Sequence, residues 1–180
     1  MIQESVADDL ANTLIACRWM AGTTTRAVKN PANNLVEVVT TAPSAVYPLT
    51  AGSPVRIIDE FPDGSSTPVE NTMAVSMPLP GDGEGIEMGS NFTEQPYLVS
   101  IGFYASTDAL ASAVLSDLKD RYEGRLVWGE AIPLINYLDD PDVIVSWMDV
   151  ETFRYAADSE TVAPDGPRLY FAEVGIVDFA

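Results

Sequence analysis

Between Tyr97 and Tyr122 the hydrophobic period changes once, and no loop-like stretch separates the two patterns. Tyr97, Val99, Ile101 and Phe103 alternate with Leu98, Ser100, Gly102 and Tyr104, which places the two sets on opposite faces of a strand. Ser106-Thr107-Asp108 follows as a helix cap and an acidic first turn. Leu110, Val114, Leu115, Leu118 and Tyr122 then recur at helical spacing, with Lys119 and Arg121 towards the end and Gly124 as the expected stop. The spacing predicts a helix over Thr107–Arg121. A strand that feeds straight into a helix requires that helix to pack back on a sheet.

The flanking sequence supplies the rest of such a layer. Ile2, Val6, Leu10, Leu14 and Cys17 form one stripe of an amphipathic N-terminal helix. Glu4, Asp8 and Asp9 stand in its early turns, Arg18 in its last, and Gly22 with the threonines after it is the expected end. Short β-prone runs at Leu35–Thr40, Val55–Asp59 and Met73–Met77 are separated by Pro, Gly, Asn and Ser. Pro62 to Ser66 reads as a turn, and Pro78 to Gly89, with two prolines and four glycines, as irregular chain. Val143–Tyr155 is expected to be a long strand, with Ile144, Met148 and Val150 on one face. Leu169–Phe179 is almost continuously apolar, as suits a central strand, and the polar segment Ala157–Pro167 joins the two as a hairpin. The expected fold is a single α+β domain over residues 1–180. Its mainly antiparallel, mixed sheet is flanked by an N-terminal and a central helix, with a long loop or hairpin arm at about 60–96.

Composition excludes more chemistry than it suggests. The 180 residues are 47% hydrophobic, enough for one core, and a chain of this size buries roughly 70% of its unfolded surface. There is no histidine, which removes imidazole-dependent nucleophiles and histidine-ligated metals. The lone Cys17 can form neither an intrachain disulfide nor a cysteine cluster. Nine basic residues against 27 acidic ones give a net charge of −18. That balance argues against a basic nucleic-acid face and against docking on anionic lipid. The first twenty residues carry acids where a secretory leader carries positive charge, so none is expected there. Ten acids and no basic residue lie between Arg56 and Lys119; that segment cannot neutralise itself by local ion pairs.

Acid clusters are the only features that imitate a site. Asp82, Glu84 and Glu87 lie in a Gly-rich loop but lack the order of a calcium-binding loop, and read as a solvated loop. Asp139, Asp140 and Asp142 flank Pro141 ahead of a strand, where turn-forming acids need no metal. No pair of carboxylates is placed in an apolar cleft that splits their pKa values. No nucleophile elbow, phosphate-binding loop or dinucleotide fingerprint is present. Trp19, Trp128 and Trp147 read as core or interface anchors. The expectation is therefore a protein without catalytic residues, metal or cofactor.

The order of elements, together with the run Tyr97-Leu-Val-Ser-Ile-Gly-Phe-Tyr-Ala-Ser-Thr-Asp-Ala-Leu-Ala-Ser-Ala-Val-Leu115 and the segment Val55-Arg-Ile-Ile-Asp-Glu-Phe-Pro-Asp-Gly64, resembles the tail terminator proteins of long-tailed bacteriophages, particularly those of actinobacterial phages. The resemblance covers nearly the whole chain in pattern and rests on no invariant motif. It implies a structural protein of the virion, at the head-proximal end of the tail, assembled in the host cytoplasm. The implied assembly is a homohexameric ring that caps the tail tube and joins it to the head-completion (stopper) protein. DNA would pass through the lumen without being bound, and no membrane is involved. Asp59, Asp63, Asp82, Glu84 and Glu87 are then the candidates to face the lumen or the tube. Two other readings stand beside it: another neck or tail-tube component, or a soluble acidic module for a basic partner. A carboxylate-dependent hydrolase is the least supported class.

Overall fold

A computed structural model describes residues 2–21, 24–29, 33, 36–41, 55–58, 61, 68–76, 78–80, 94–128, 131–136, 140–156, 158–161 and 164–179. Two helices, α1 (Ile2–Ala16) and α2 (Asp108–Trp128), accompany ten strands. These are β1 (Thr24–Lys29), β2 (Val36–Thr41), β3 (Arg56–Ile58), β4 (Thr72–Val75), β5 (Leu79–Pro80), β6 (Glu94–Ala105), β7 (Ile132–Asn136), β8 (Asp140–Tyr155), β9 (Glu160–Thr161) and β10 (Arg168–Phe179). The fold is α+β, as expected.

The main sheet has eight strands, in the order β3-β4-β6-β10-β8-β7. Within it β5 continues the row of β4 along β6, and β9 extends the row of β8 along β10. Only β3 and β4 run parallel; the other pairings are antiparallel. The apolar strand β10 is central, between β6 and β8. Separately, β1 and β2 form a two-stranded ribbon.

Both helices pack on one face of the sheet. Val99, Ile101, Phe103 and Ala105 of β6 and Tyr170, Ala172, Val174 and Ile176 of β10 meet Val6, Leu10 and Leu14 of α1 and Ala111, Val114, Leu115, Leu118 and Tyr122 of α2. Each fully buried Val, Leu, Ile or Phe side chain among them contributes about 1.5–3 kcal/mol, so the stripes read from the sequence are what hold the layers together. On the opposite face Ala74, Tyr104 and Leu169 form a second, small cluster with Ile58, Phe61 and Phe171 against it. Gly102 belongs there because a Cβ would run into the Phe61 ring.

Helix α1 touches β7 at one end of the strand order and β3 and β4 at the other. Gln3 Nε2 donates to the Val75 carbonyl (2.7 Å), and Ser5 Oγ accepts from the Ile135 amide (3.0 Å). The sheet therefore curls around α1, and Ser5 satisfies one backbone donor of the edge strand β7.

Four local expectations change. α1 ends before Gly22. Arg18 adopts a left-handed conformation (φ 66°) and its amide bonds the Ile15 carbonyl (3.0 Å), while the Trp19 amide reaches Leu14 (2.9 Å). That is a Schellman closure; it leaves the Trp19 carbonyl to accept from Val55 at 3.1 Å, ahead of β3. α2 does not stop at Gly124 but runs on to Trp128, because Arg125 is drawn into a buried ion pair with α1. β8 begins at Asp140, three residues early, so Asp140, Pro141 and Asp142 are strand and not turn. Finally, Ile144, Met148 and Val150 do not define the inner face to the end of β8. Val150 pairs with Ile176 but Thr152 with Gly175, so Glu151 is bulged out and the alternation slips by one. Phe153 thereby joins the core beside Met148 and Val150.

Strands β1 and β7 carried no signal in the reading of the sequence. Within residues 60–96, expected as an excursion, β4 and β5 are strands paired to β6. β5 falls in the stretch read as irregular.

Candidate functional site

Asp59, Asp63, Asp82, Glu84 and Glu87 all lie outside the described residues, as does Asp139. The side chains of Asp140, Asp142 and Trp128 fall outside them too. Among the described residues no group of three or more Cys, Asp or Glu is placed to hold a metal, and no helix is long and apolar enough to cross a membrane. Three polar arrangements remain.

The first is a buried knot between the helices. Asp9, 2% exposed, accepts from the Tyr122 hydroxyl (3.0 Å) and pairs with the Arg125 guanidinium. Arg125 Nη2 donates to Thr13 Oγ1 (2.9 Å), whose own hydroxyl donates to the Asp9 carbonyl (2.8 Å). The guanidinium carbon lies 4.8 Å from the centroid of the Tyr122 ring, which stacks on Phe153 at 4.8 Å and 5°. Burial drives the Tyr122 phenol far above its ordinary value, and the Asp9 carboxylate adds to this. The knot fixes the two helices in register; with its acid, phenol and cation all satisfied by one another, it offers no free group to a substrate. Asp9 stood in the sequence only as an early-turn charge on α1, and the signal missed was its position one residue before Leu10 of the stripe, on the flank that meets α2.

The second is a cleft of about 670 Å³ at the N-terminus of α2, lined by Asp108, Ser112, Leu115, Tyr155, Asp158, Arg168 and Tyr170 among others. Thr107 caps the helix by accepting the Leu110 amide at 3.2 Å. Asp108 accepts from the Tyr170 hydroxyl and from Arg168 Nη1 (3.2 Å), and Arg168 reaches Ser159 Oγ at 3.4 Å. Burial and then the Asp108 carboxylate raise the Tyr170 phenol, so it is a donor across the neutral range. These contacts brace α2 against β10 and the β8–β10 hairpin. Asp108 was read only as a first-turn charge; its two partners are 60 and 62 residues further on, beyond any local pattern.

The third, of about 430 Å³, lies between the end of α1 and α2 and is lined by Ala16, Cys17, Arg18, Asp117, Asp120 and Arg121. Trp19 Nε1 donates to Asp117 Oδ2 at 2.7 Å, so Trp19 is a core anchor. Burial pushes the Cys17 thiol up, against the opposing pull of Arg121. A raised thiol is protonated at neutral pH and is a poor nucleophile.

Comparison with protein-family models, with curated proteins and with solved structures returned no match. The described geometry can brace helices on a curled sheet and present charged surface to a partner.

Proposed function

We propose that this chain is a structural ring protein of a bacteriophage neck, a tail terminator that closes the tail tube and joins it to the head-completion protein. The observation that carries the reading is the order of elements: an N-terminal helix, a strand-rich middle, β6 passing directly into a capped α2, and a closing pair of long strands, β8 and β10. This is the order on which the resemblance to tail terminators rests. The charge of −18 supports it from a second side. An acidic wall lets DNA slide past without the counterion release that gives a basic surface its affinity.

Subunits of such a ring meet head-to-tail about a closed axis. On this reading the acids Asp59, Asp63, Asp82, Glu84 and Glu87 line the lumen or face the tube. Another neck or tube component is the nearest alternative; a free acidic module for a basic partner draws on the charge alone.

Electron micrographs of particles made without this gene decide the matter. Abnormally long or unjoined tails are expected, and tails of normal, fixed length overturn termination. Replacing Asp82, Glu84 and Glu87 together by Lys tests the lumen assignment: DNA ejection slows if the loop lines the channel, and unchanged ejection removes the loop from it.

A further inference from the structure

The contacts that brace the N-terminus of α2 leave polar groups of its cleft unused. Arg168 spends Nη1 on Asp108 and Ser159 (3.2 and 3.4 Å), and its Nε and Nη2 donors have no partner among the described residues. The Asp158 carboxylate and the hydroxyls of Tyr155 and Ser112, all in the lining, have none there either. The carboxylate only accepts, the guanidinium only donates, and the hydroxyls do both.

The cleft is also built to hold its shape. Its volume of about 670 Å³ lies within the ~300–1,000 Å³ of small-molecule sites. Its walls come from the first turns of α2, the end of β8 and the start of β10, and groups carried on helices and strands are placed more firmly than groups on loops. Leu115 and Tyr170 in the lining are 1% and 6% exposed, so part of the cleft is continuous with the packed core.

Charge and polarity narrow what fits. Two acids, Asp108 and Asp158, against one cation, Arg168, leave the lining at −1 on a chain of −18. An anion meets repulsion from the chain as a whole and a guanidinium already paired to Asp108. A cation meets Arg168 in the same lining. An apolar ligand strips water from the free carboxylate and guanidinium without replacing it, which is costly. A neutral polyhydroxylated ring meets none of these obstacles. Each of its hydroxyls both donates and accepts, and its C–H face suits an aromatic ring.

We infer that this cleft binds a sugar through Asp158, Arg168 and Tyr155. Asp158 accepts from the sugar's hydroxyls, Arg168 donates to its oxygens through Nε and Nη2, and the half-buried Tyr155 offers its ring and hydroxyl. Asp108 and Ser159, which hold Arg168 by Nη1, are positioning residues. This goes beyond the proposed place in a phage neck and does not depend on it.

The test titrates the isotope-labelled full chain with D-glucose, D-galactose, D-mannose and N-acetyl-D-glucosamine and reads amide shifts by NMR. Each sugar is taken to about 50 mM, well above the ~1 mM dissociation constant of a weak site. At least one is expected to bind, with shifts centred on Asp108, Ser112, Tyr155, Asp158 and Arg168. Asp158 is exposed, so Asp158→Ala should fold as the wild type does and weaken binding at least about 10-fold, as loss of a hydrogen bond to a charged group does. Tyr155→Phe removes only the hydroxyl and should weaken binding about threefold. Glu160→Ala, at an exposed acid outside the lining, should change nothing.

No shift with any of these sugars overturns the inference, and so do shifts centred elsewhere or equal binding by Asp158→Ala. Inorganic phosphate is the opposing probe: if it binds in the cleft and the sugars do not, Arg168 serves an anion and the inference falls. Tail length in particles lacking the gene is read separately, so failure of the sugar site and failure of the neck reading are told apart.

Discussion

At the scale of single residues, the interhelix knot is the most sensitive point in the molecule. Asp9 and Arg125 are 2% and 5% exposed, and removing one member of a buried pair strands the other, at a cost of about 3–5 kcal/mol. Asp9→Ala is therefore expected to lose about that much in urea unfolding. Replacing both, as Asp9→Leu/Arg125→Met, leaves no buried charge and should recover about half of the loss; a double variant worse than the single one would refute this account. The tyrosines give a pH signature. Tyr104, Tyr122 and Tyr170 all have phenols raised above their ordinary value, with burial the leading cause in each. The folded state holds these protons more tightly than the unfolded chain does. Their contribution is complete below about pH 10 and is lost as pH rises through the raised values. Stability should fall steeply above about pH 10, and Tyr122→Phe should flatten that fall; an equal slope in both proteins would show that Tyr122 is not responsible.

Elements were legible where a period was local and obscure where a distant partner decided. The stripes of α1, α2 and β6 are visible in the sequence because each repeats every two, three or four residues. The bulge at Glu151 is not, because it answers the tight approach of Gly175, where a Cβ would stand 2.5 Å from Thr152 Oγ1. Gly124 misled for the same reason: its helix continues because Arg125 finds Asp9, 116 residues away. Strand β1 was invisible for a further reason, since its threonine-rich start reads as the end of α1. Of the five lumen candidates the charge was legible and the placement was not. Gly124 yields a clean test. A Cβ there meets nothing within 4 Å, so Gly124→Ala removes unfolded-state freedom and nothing else. It should stabilise by about 0.5–1 kcal/mol, a rise in Tm of roughly 1–4 °C for a chain of this size. A fall in Tm would mean that α2 bends or terminates at that point after all.

For the molecule as a whole, the charge of −18 opposes compaction by self-repulsion. The described exposed ion pairs, Lys119–Glu123 (3.4 Å), Arg154–Glu173 (3.2 Å) and Arg168–Asp108 (3.2 Å), offset little of it, since each such pair contributes about 0–1 kcal/mol. Repulsion among many acids outweighs a few exposed attractions, so screening should stabilise the fold. Added sodium chloride is expected to raise Tm between about 10 mM and about 500 mM, over which the screening length shrinks from about 30 Å to a few ångströms. A Tm that falls with added salt would mean that attractive pairs, and not repulsion, dominate this surface.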